Sequence, residues 1–158
     1  MLIVFLIFVI PPSVGFAQKA DPLIWRFNMG LGAGHLKGHS DAIGALVALD
    51  LEFRPHTISA RLTSTSSIFR SGVQEIAVLY ERRLFSHEWV GVSAGTGASL
   101  IDEHEGNRGL GLPLEFTVTT KPSGAFGVFV TGYGNINPGA NPFGLVLGLR
   151  FGPGPGYE

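Results

Sequence analysis

The chain has 158 residues, room for one domain and not for two. Cysteine is absent, which excludes a disulfide framework and a thiolate metal site, and a formal net charge of −1 offers no electrostatic footprint for nucleic acid. Only 15% of the residues are charged, mean hydropathy is +0.30 and 23 residues are glycine, well above the average glycine share of roughly 7%. An apolar, glycine-rich chain without cysteine suits a membrane β protein better than a secreted mini-domain.

At the start, Leu2 to Ile10 form an unbroken apolar run, followed by Pro11-Pro12 and then Val14-Gly15-Phe16-Ala17. An apolar core of about 7–15 residues, a breaker, and small residues at −3 and −1 is the layout of a secretory signal. The expectation is a signal peptide at 1–17 cleaved before Gln18, then a lead-in at 18–24. No Lys or Arg precedes the run, so only the α-amino group supplies positive charge there. The alternative for this segment is a buried N-terminal strand. The run falls short of the roughly 20 apolar residues a spanning helix needs, and no later stretch is long enough either. Membrane location then requires a closed barrel, because lipid offers no partner for an open backbone group.

From Trp25 onward the dominant periodicity is two, the mark of strands with distinct faces. The first segment sets Trp25, Phe27, Met29, Leu31 and Ala33 against Arg26, Asn28 and glycines. The second sets Ile43, Ala45, Val47, Leu49, Leu51 and Phe53 against Gly44, Leu46, Ala48, Asp50, Glu52 and Arg54. The third, which looks short, opposes Ile58, Ala60 and Leu62 to Ser59, Arg61 and Thr63. In the fourth, Ile76, Val78, Tyr80 and Leu84 oppose Glu75, Ala77, Leu79, Glu81 and Arg83, with Arg82 breaking the apolar phase. In the fifth, Val90, Val92, Ala94 and Leu100 oppose Gly91, Ser93, Gly95, Gly97 and Ser99. The sixth opposes Leu112, Leu114, Phe116 and Val118 to Pro113, Glu115, Thr117 and Thr119. The seventh is the least clean, with Phe126, Val128 and Val130 against Gly127, Phe129, Thr131 and Tyr133. The eighth sets Phe143, Leu145, Leu147, Leu149 and Phe151 against Gly144, Val146, Gly148 and Arg150.

The connections alternate in kind. Polar loops are expected at 35–40, 65–71, 102–109 and 135–142, and tight turns around Pro55-His56, Ser86-His87 and Lys121-Pro122-Ser123-Gly124. Long loops at one end and short turns at the other are the topology of outer-membrane barrels, with turns and termini periplasmic. The predicted fold is all-β: an eight-stranded antiparallel up-and-down transmembrane β-barrel over 25–151, preceded by the signal peptide and followed by a tail at 152–158.

Alternation alone does not say which face points inward, since a lipocalin-like barrel would place the apolar residues inside. Two features favour a polar interior. The polar faces are rich in glycine, which packs nothing on a surface but fits a narrow barrel interior. Their charges also cancel: Arg26, Arg54, Arg61, Arg83 and Arg150 against Asp50, Glu52, Glu75, Glu81 and Glu115. Every one of these cations is arginine, whose planar fork suits buried pairing with carboxylates, while Lys37 and Lys121 fall in a loop and a turn. The expectation is a lumen plugged by arginine–carboxylate pairs. Trp25, Phe53, Phe85, Trp89, Phe126 and Phe151 lie at segment ends beside the termini or the short turns and predict an aromatic belt at the periplasmic interface. Tyr133 and Phe143 are candidates for the opposite rim.

From Trp25 to Phe151 the chain resembles the small outer-membrane β-barrel domain proteins of bacteria. Gly109-Leu110-Gly111-Leu112-Pro113-Leu114-Glu115-Phe116 is similar to a strand common in their short members. Asn135-Ile136-Asn137 followed by the run from Phe143 to Phe151 is similar to their closing hairpin. The resemblance implies residence in outer-membrane lipid and delivery by the barrel-assembly machinery, whose signal ends in a terminal aromatic. Phe151 fills that role here, with the departure that Gly152 to Glu158 follow it.

Catalytic signals are weak. His39-Ser40-Asp41 and Ser86-His87-Glu88 hold the residue types of a hydrolytic triad, but neighbours in one connection cannot stack as nucleophile, base and orienter. Asp102-Glu103-His104-Glu105 clusters metal-capable groups without the spacing of a calcium loop, and reads as a solvated outer loop. No catalytic residue, metal site or cofactor is expected. The leading functional reading is a lipid-embedded barrel with a closed interior and a structural or surface-interaction role, its loop partner unspecified. Two alternatives stand: a lipid A-modifying enzyme on the same fold, for which no histidine-x-serine strand motif is present, and a soluble secreted barrel binding an apolar ligand.

Overall fold

The computed structural model describes residues 23–36, 39–67, 72–87, 89–103, 108–120, 126–139 and 141–152. The expected signal segment, Lys37, the turn at 121–124 and the tail beyond Gly152 lie outside the described residues.

Eight strands follow one another: β1 (Ile24–Leu36), β2 (His39–Phe53), β3 (His56–Ser67), β4 (Gly72–Ser86), β5 (Val90–Glu103), β6 (Arg108–Thr120), β7 (Phe126–Ile136) and β8 (Phe143–Phe151). Each pairs antiparallel with its sequence neighbours, and β8 returns to β1 in the register Met29↔Leu149 and Leu31↔Leu147, which closes the barrel. Closure matters physically because it leaves no sheet edge whose N–H and C=O groups need outside partners.

Several strands run further toward the loop end than the hydrophobic pattern suggests. β1 continues to Leu36 and β2 begins at His39, β3 extends to Ser67, β5 includes Asp102 and Glu103, β6 begins at Arg108, and β7 reaches Ile136. The predicted loops at 35–40, 65–71, 102–109 and 135–142 are thus shorter than expected, and β3 is a full 12 residues rather than a short strand. The reason is that alternation of polarity stops where both faces become polar, as over Thr63 to Ser67. The backbone ladder does not depend on polarity and continues through Ala42↔Ser67 and Val73↔Glu103. At the opposite end, His56 is the first residue of β3, and the turn consists of Arg54-Pro55.

Two irregularities matter to the wall. A register shift between Arg83 and Phe85 turns both Leu84 and Phe85 outward at the end of β4. Pro113 sits inside β6 and has no N–H to donate. The β5–β6 ladder accordingly runs to Thr96↔Leu114 and resumes at Ser99↔Gly111, while the Pro113 carbonyl accepts a hydrogen bond from Thr96 Oγ1 at 2.9 Å.

The apolar faces point outward. Leu49, Val78 and Leu147 are 48%, 58% and 59% exposed, whereas Glu52 and Glu75 are 3% and 2% exposed. That is the opposite of the partition a soluble, lipocalin-like barrel requires. Most of the buried apolar residues form two small clusters inside the polar lumen, with Ala77 and Leu79 outside both. One comprises Leu46, Ala48, Phe129, Tyr133 and Val146; the other, Leu36, Ala42, Val73 and Ile101, lies toward the loop end.

Candidate functional site: the barrel interior

The interior is built by inward-facing residues of all eight strands, and its bulk is fitted to its glycines. The Tyr133 ring crosses to Gly44 and Gly144, where a methyl group would meet its hydroxyl or ring. Phe129 reaches Gly148 in the same way. These close approaches are open only to a residue without Cβ, and they explain why glycine concentrates on the polar faces.

A first group of polar side chains surrounds Arg61. Its side chain is fully buried; Nη2 lies 3.0 Å from Glu75 Oε1 and Nη1 contacts Glu115 Oε2. Glu75 also accepts from Thr63 Oγ1 at 2.9 Å and from Asn135 Nδ2 at 2.8 Å, and Asn135 donates to Ser99 Oγ at 2.6 Å. Thr117 Oγ1 donates to Glu115 at 2.9 Å and lies 2.7 Å from Thr131 Oγ1. On the loop side, the Tyr133 and Thr65 hydroxyls are 2.8 Å apart, and the Arg61 guanidinium sits 5.9 Å from the Tyr133 ring centroid. Arg61 thus bridges two carboxylates that also accept from neutral amides and hydroxyls, as a buried ion pair requires, while its own Nε has no hydrogen-bond partner among the described residues.

Toward the turns, Asp50 Oδ2 accepts from Asn28 Nδ2 at 2.6 Å and from Arg150 Nη2 at 3.1 Å, while Arg150 Nε donates to Asn28 Oδ1 at 2.7 Å. Glu52 gathers three arginines: Arg26 at 2.6 Å, Arg54 at 3.0 Å and Arg83. Glu81, also buried, accepts only from Ser93 Oγ at 3.2 Å and makes no ion pair among the described residues. The sequence-level cancellation of five cations by five anions therefore does not become five separate pairs. Arg54 also stands apart, because its position at the β2–β3 turn leaves its side chain 35% exposed. A cavity of about 20 Å³, space for roughly one water, is lined by Asp50, Glu52, Glu81, Arg83, Ser93 and Arg150 among others.

The neutral members of this network, Asn28, Thr63, Ser93, Ser99, Thr117 and Asn135, escape a search for ionic pairs. Their signal is positional: Asn28, Thr63 and Thr117 each stand two residues from a charged residue on the same strand face, Arg26, Arg61 and Glu115 in turn.

On the outside, Trp25, Phe53, Phe85, Trp89, Phe126 and Phe151 are all exposed at the turn end of the barrel. Phe126 and Phe151 are cross-strand neighbours, and Phe27 adds its ring at 6.4 Å from Phe151. Tyr133 does not belong to an outer rim: it is 4% exposed and lies in the lumen. Its place on β7 between outward Gly132 and Gly134 dictates that direction, which the Thr65 hydrogen bond and the glycines opposite then use. Phe143 is exposed at the loop end, its ring 4.7 Å from that of His35.

No group of three or more metal-capable side chains occurs among the described residues. Asp102 pairs with Arg108 at 3.0 Å on the surface; His104 and Glu105 lie outside the described residues. His87 stacks on Phe85 with ring centroids 6.4 Å apart and is exposed.

No protein-family model matches the chain, and no curated protein matches it. Solved structures do. Neisserial surface protein A superposes with a TM-score of 0.67 at 10% sequence identity, covering 85% of this chain and 99% of that one. A transmembrane β-barrel designed de novo gives 0.57 at 6% identity, with 86% and 100% covered. Ail, the attachment invasion locus protein of Yersinia pestis, gives 0.54 at 12% identity, with 85% and 100% covered. The chain shares the fold of these small barrels across nearly their whole length.

Proposed function

We propose that this protein is a bacterial outer-membrane β-barrel with a closed, ion-paired interior and a structural or surface-interaction role, not a general pore. The observation that carries the reading is the inverted partition of side chains. Leucine, isoleucine, valine and phenylalanine cover the outer wall, while Arg61, Glu75, Thr63 and Leu79 fill the axis at 2% exposure or less. In water such an exterior far exceeds the apolar patch a soluble monomer tolerates; in lipid it is the required surface. The fold shared with a designed transmembrane barrel and with two bacterial proteins, one named for the cell surface and one for attachment, supports the same reading.

Under this reading the turns and termini are periplasmic and the longer connections face outward. The exposed aromatic ring is the periplasmic interfacial belt, and the barrel-assembly machinery and outer-membrane lipid are the partners of biogenesis. Envelope fractionation with SDS electrophoresis before and after boiling is the test. A heat-modifiable band in the outer-membrane fraction is the expected result; extraction of the protein by high salt alone would overturn it. Comparison of lipid A mass in cells with and without the protein, expected to be unchanged, tests the structural role against lipid A modification.

A further inference from the structure

Arg82 is a cation that the interior network does not use. It lies on β4 between Glu81 and Arg83, both of which face the lumen cavity, so alternation turns it to the outer wall. Cross-strand it stands opposite His56, the first residue of β3, and opposite Ala94 of β5. Among the side chains that are described, the other charged ones on the outward faces of the strands are Asp102 and Arg108 at the loop end, and these pair with each other. Arg82 makes no ion pair or hydrogen bond of its side chain among the described residues. Beside it, the Tyr80 hydroxyl is hydrogen-bonded to His56 Nδ1, the two rings are stacked at 5.5 Å, and Phe53 lies 5.7 Å from His56.

A guanidinium on an apolar wall with no counter-charge among the described residues takes one from its surroundings. Charge complementarity names an anion held at the membrane surface, and the planar fork of arginine fits the oxygens of a phosphate. The Tyr80 hydroxyl engages Nδ1 of His56, which leaves Nε2 as the ring nitrogen open to a further partner. Arg82 also sits at a suitable height. The adjacent Arg83 N–H donates to the Pro55 carbonyl at 2.9 Å, so Arg82 is level with the β2–β3 turn, where the penalty for charge on the wall falls away near the interface.

We propose that Arg82, with His56 and Tyr80, binds the phosphate of a glycerophospholipid headgroup in the leaflet at the turn end of the barrel. This rests on the membrane reading above, and heat-modifiability of the purified full chain in an uncharged detergent tests that reading separately. The folded chain is then loaded with dioleoylphosphatidylglycerol or with dioleoylglycerol, which has the same acyl chains and no phosphate, and the retained lipid is counted by native mass spectrometry. Wild type is expected to prefer the phospholipid by about tenfold, the scale of one charge-assisted hydrogen bond. Arg82→Gln should lose that preference, Arg82→Lys should keep part of it, and Arg108→Gln should not change it. If Arg82→Gln does not fold, His56→Ala carries the expectation of a reduced preference. Equal retention of the two lipids by wild type, or an unchanged preference in the variant that folds, overturns the site. Displacement of the phospholipid by excess inorganic phosphate overturns a lipid as its source. A chain that never becomes heat-modifiable overturns the embedding, and this site with it.

Discussion

Glu52 shows how unevenly charge is distributed among the interior residues. It is 3% exposed and holds Arg26, Arg54 and Arg83 together, so its loss leaves three cations facing one another around a neutral side chain. Breaking a buried pair by removing one partner costs about 3–5 kcal/mol. Arg54 and Arg83, 35% and 21% exposed, regain some hydration and move the estimate to the lower end. Glu52→Gln is therefore expected to destabilise the folded barrel by about 3 kcal/mol, read from the urea midpoint of unfolding in lipid vesicles. Arg108→Ala is the contrasting case. Its pair with Asp102 is 83% exposed on the arginine side, and such pairs contribute about 0–1 kcal/mol. An equal shift in both variants would remove the interior network from the account of stability.

Strands β4, β5 and β8 show what the wall demands at the scale of an element. A Cβ on Gly97 of β5 would collide with the Val78 carbonyl oxygen of β4, whereas a Cβ on Gly109 of β6 would meet nothing within 4 Å. Because the obstacle at Gly97 is backbone and cannot rotate away, Gly97→Ala should cost about 1–3 kcal/mol by overpacking. Gly109→Ala should stay within roughly 0.5 kcal/mol; denaturant titration of both variants gives the comparison. β8 is the shortest strand, at 9 residues. At about 3.3 Å per residue and a tilt near 40° it rises about 23 Å, close to the roughly 25 Å apolar band of such barrels. Leu147 lies at its middle, paired with Leu31 and Val130, and Phe126 lies at the turn-end rim. Leu147→Arg is expected to cost about 2–4 kcal/mol and Phe126→Arg about 0–1 kcal/mol, because the penalty for charge on the lipid face depends on depth. Equal penalties in vesicle unfolding experiments would contradict this placement of the wall in the bilayer.

The whole molecule combines a greasy exterior with a filled axis. An eight-stranded barrel has an interior just wide enough for side chains, and here the Arg61 group, Phe129, Val146 and the cluster of Leu36, Ala42, Val73 and Ile101 occupy it. The expected result in a planar bilayer is no steady conductance from the purified chain; stable unitary currents would contradict the closed interior. Period-two alternation from Trp25 to Phe151 was sufficient to determine the strand count, the antiparallel closure and the set of residues that share a face. Those properties follow from local backbone geometry and from an even number of spans. Tertiary structure alone decided the partners and the ends. Glu52 holds three arginines while Glu81 has only Ser93, because strand tilt and register set which side chains meet across the lumen. Tyr133 meets Gly44 and Gly144 across the lumen for the same reason. The strands outrun their hydrophobic pattern at the loop end because backbone pairing continues where the change in polarity stops.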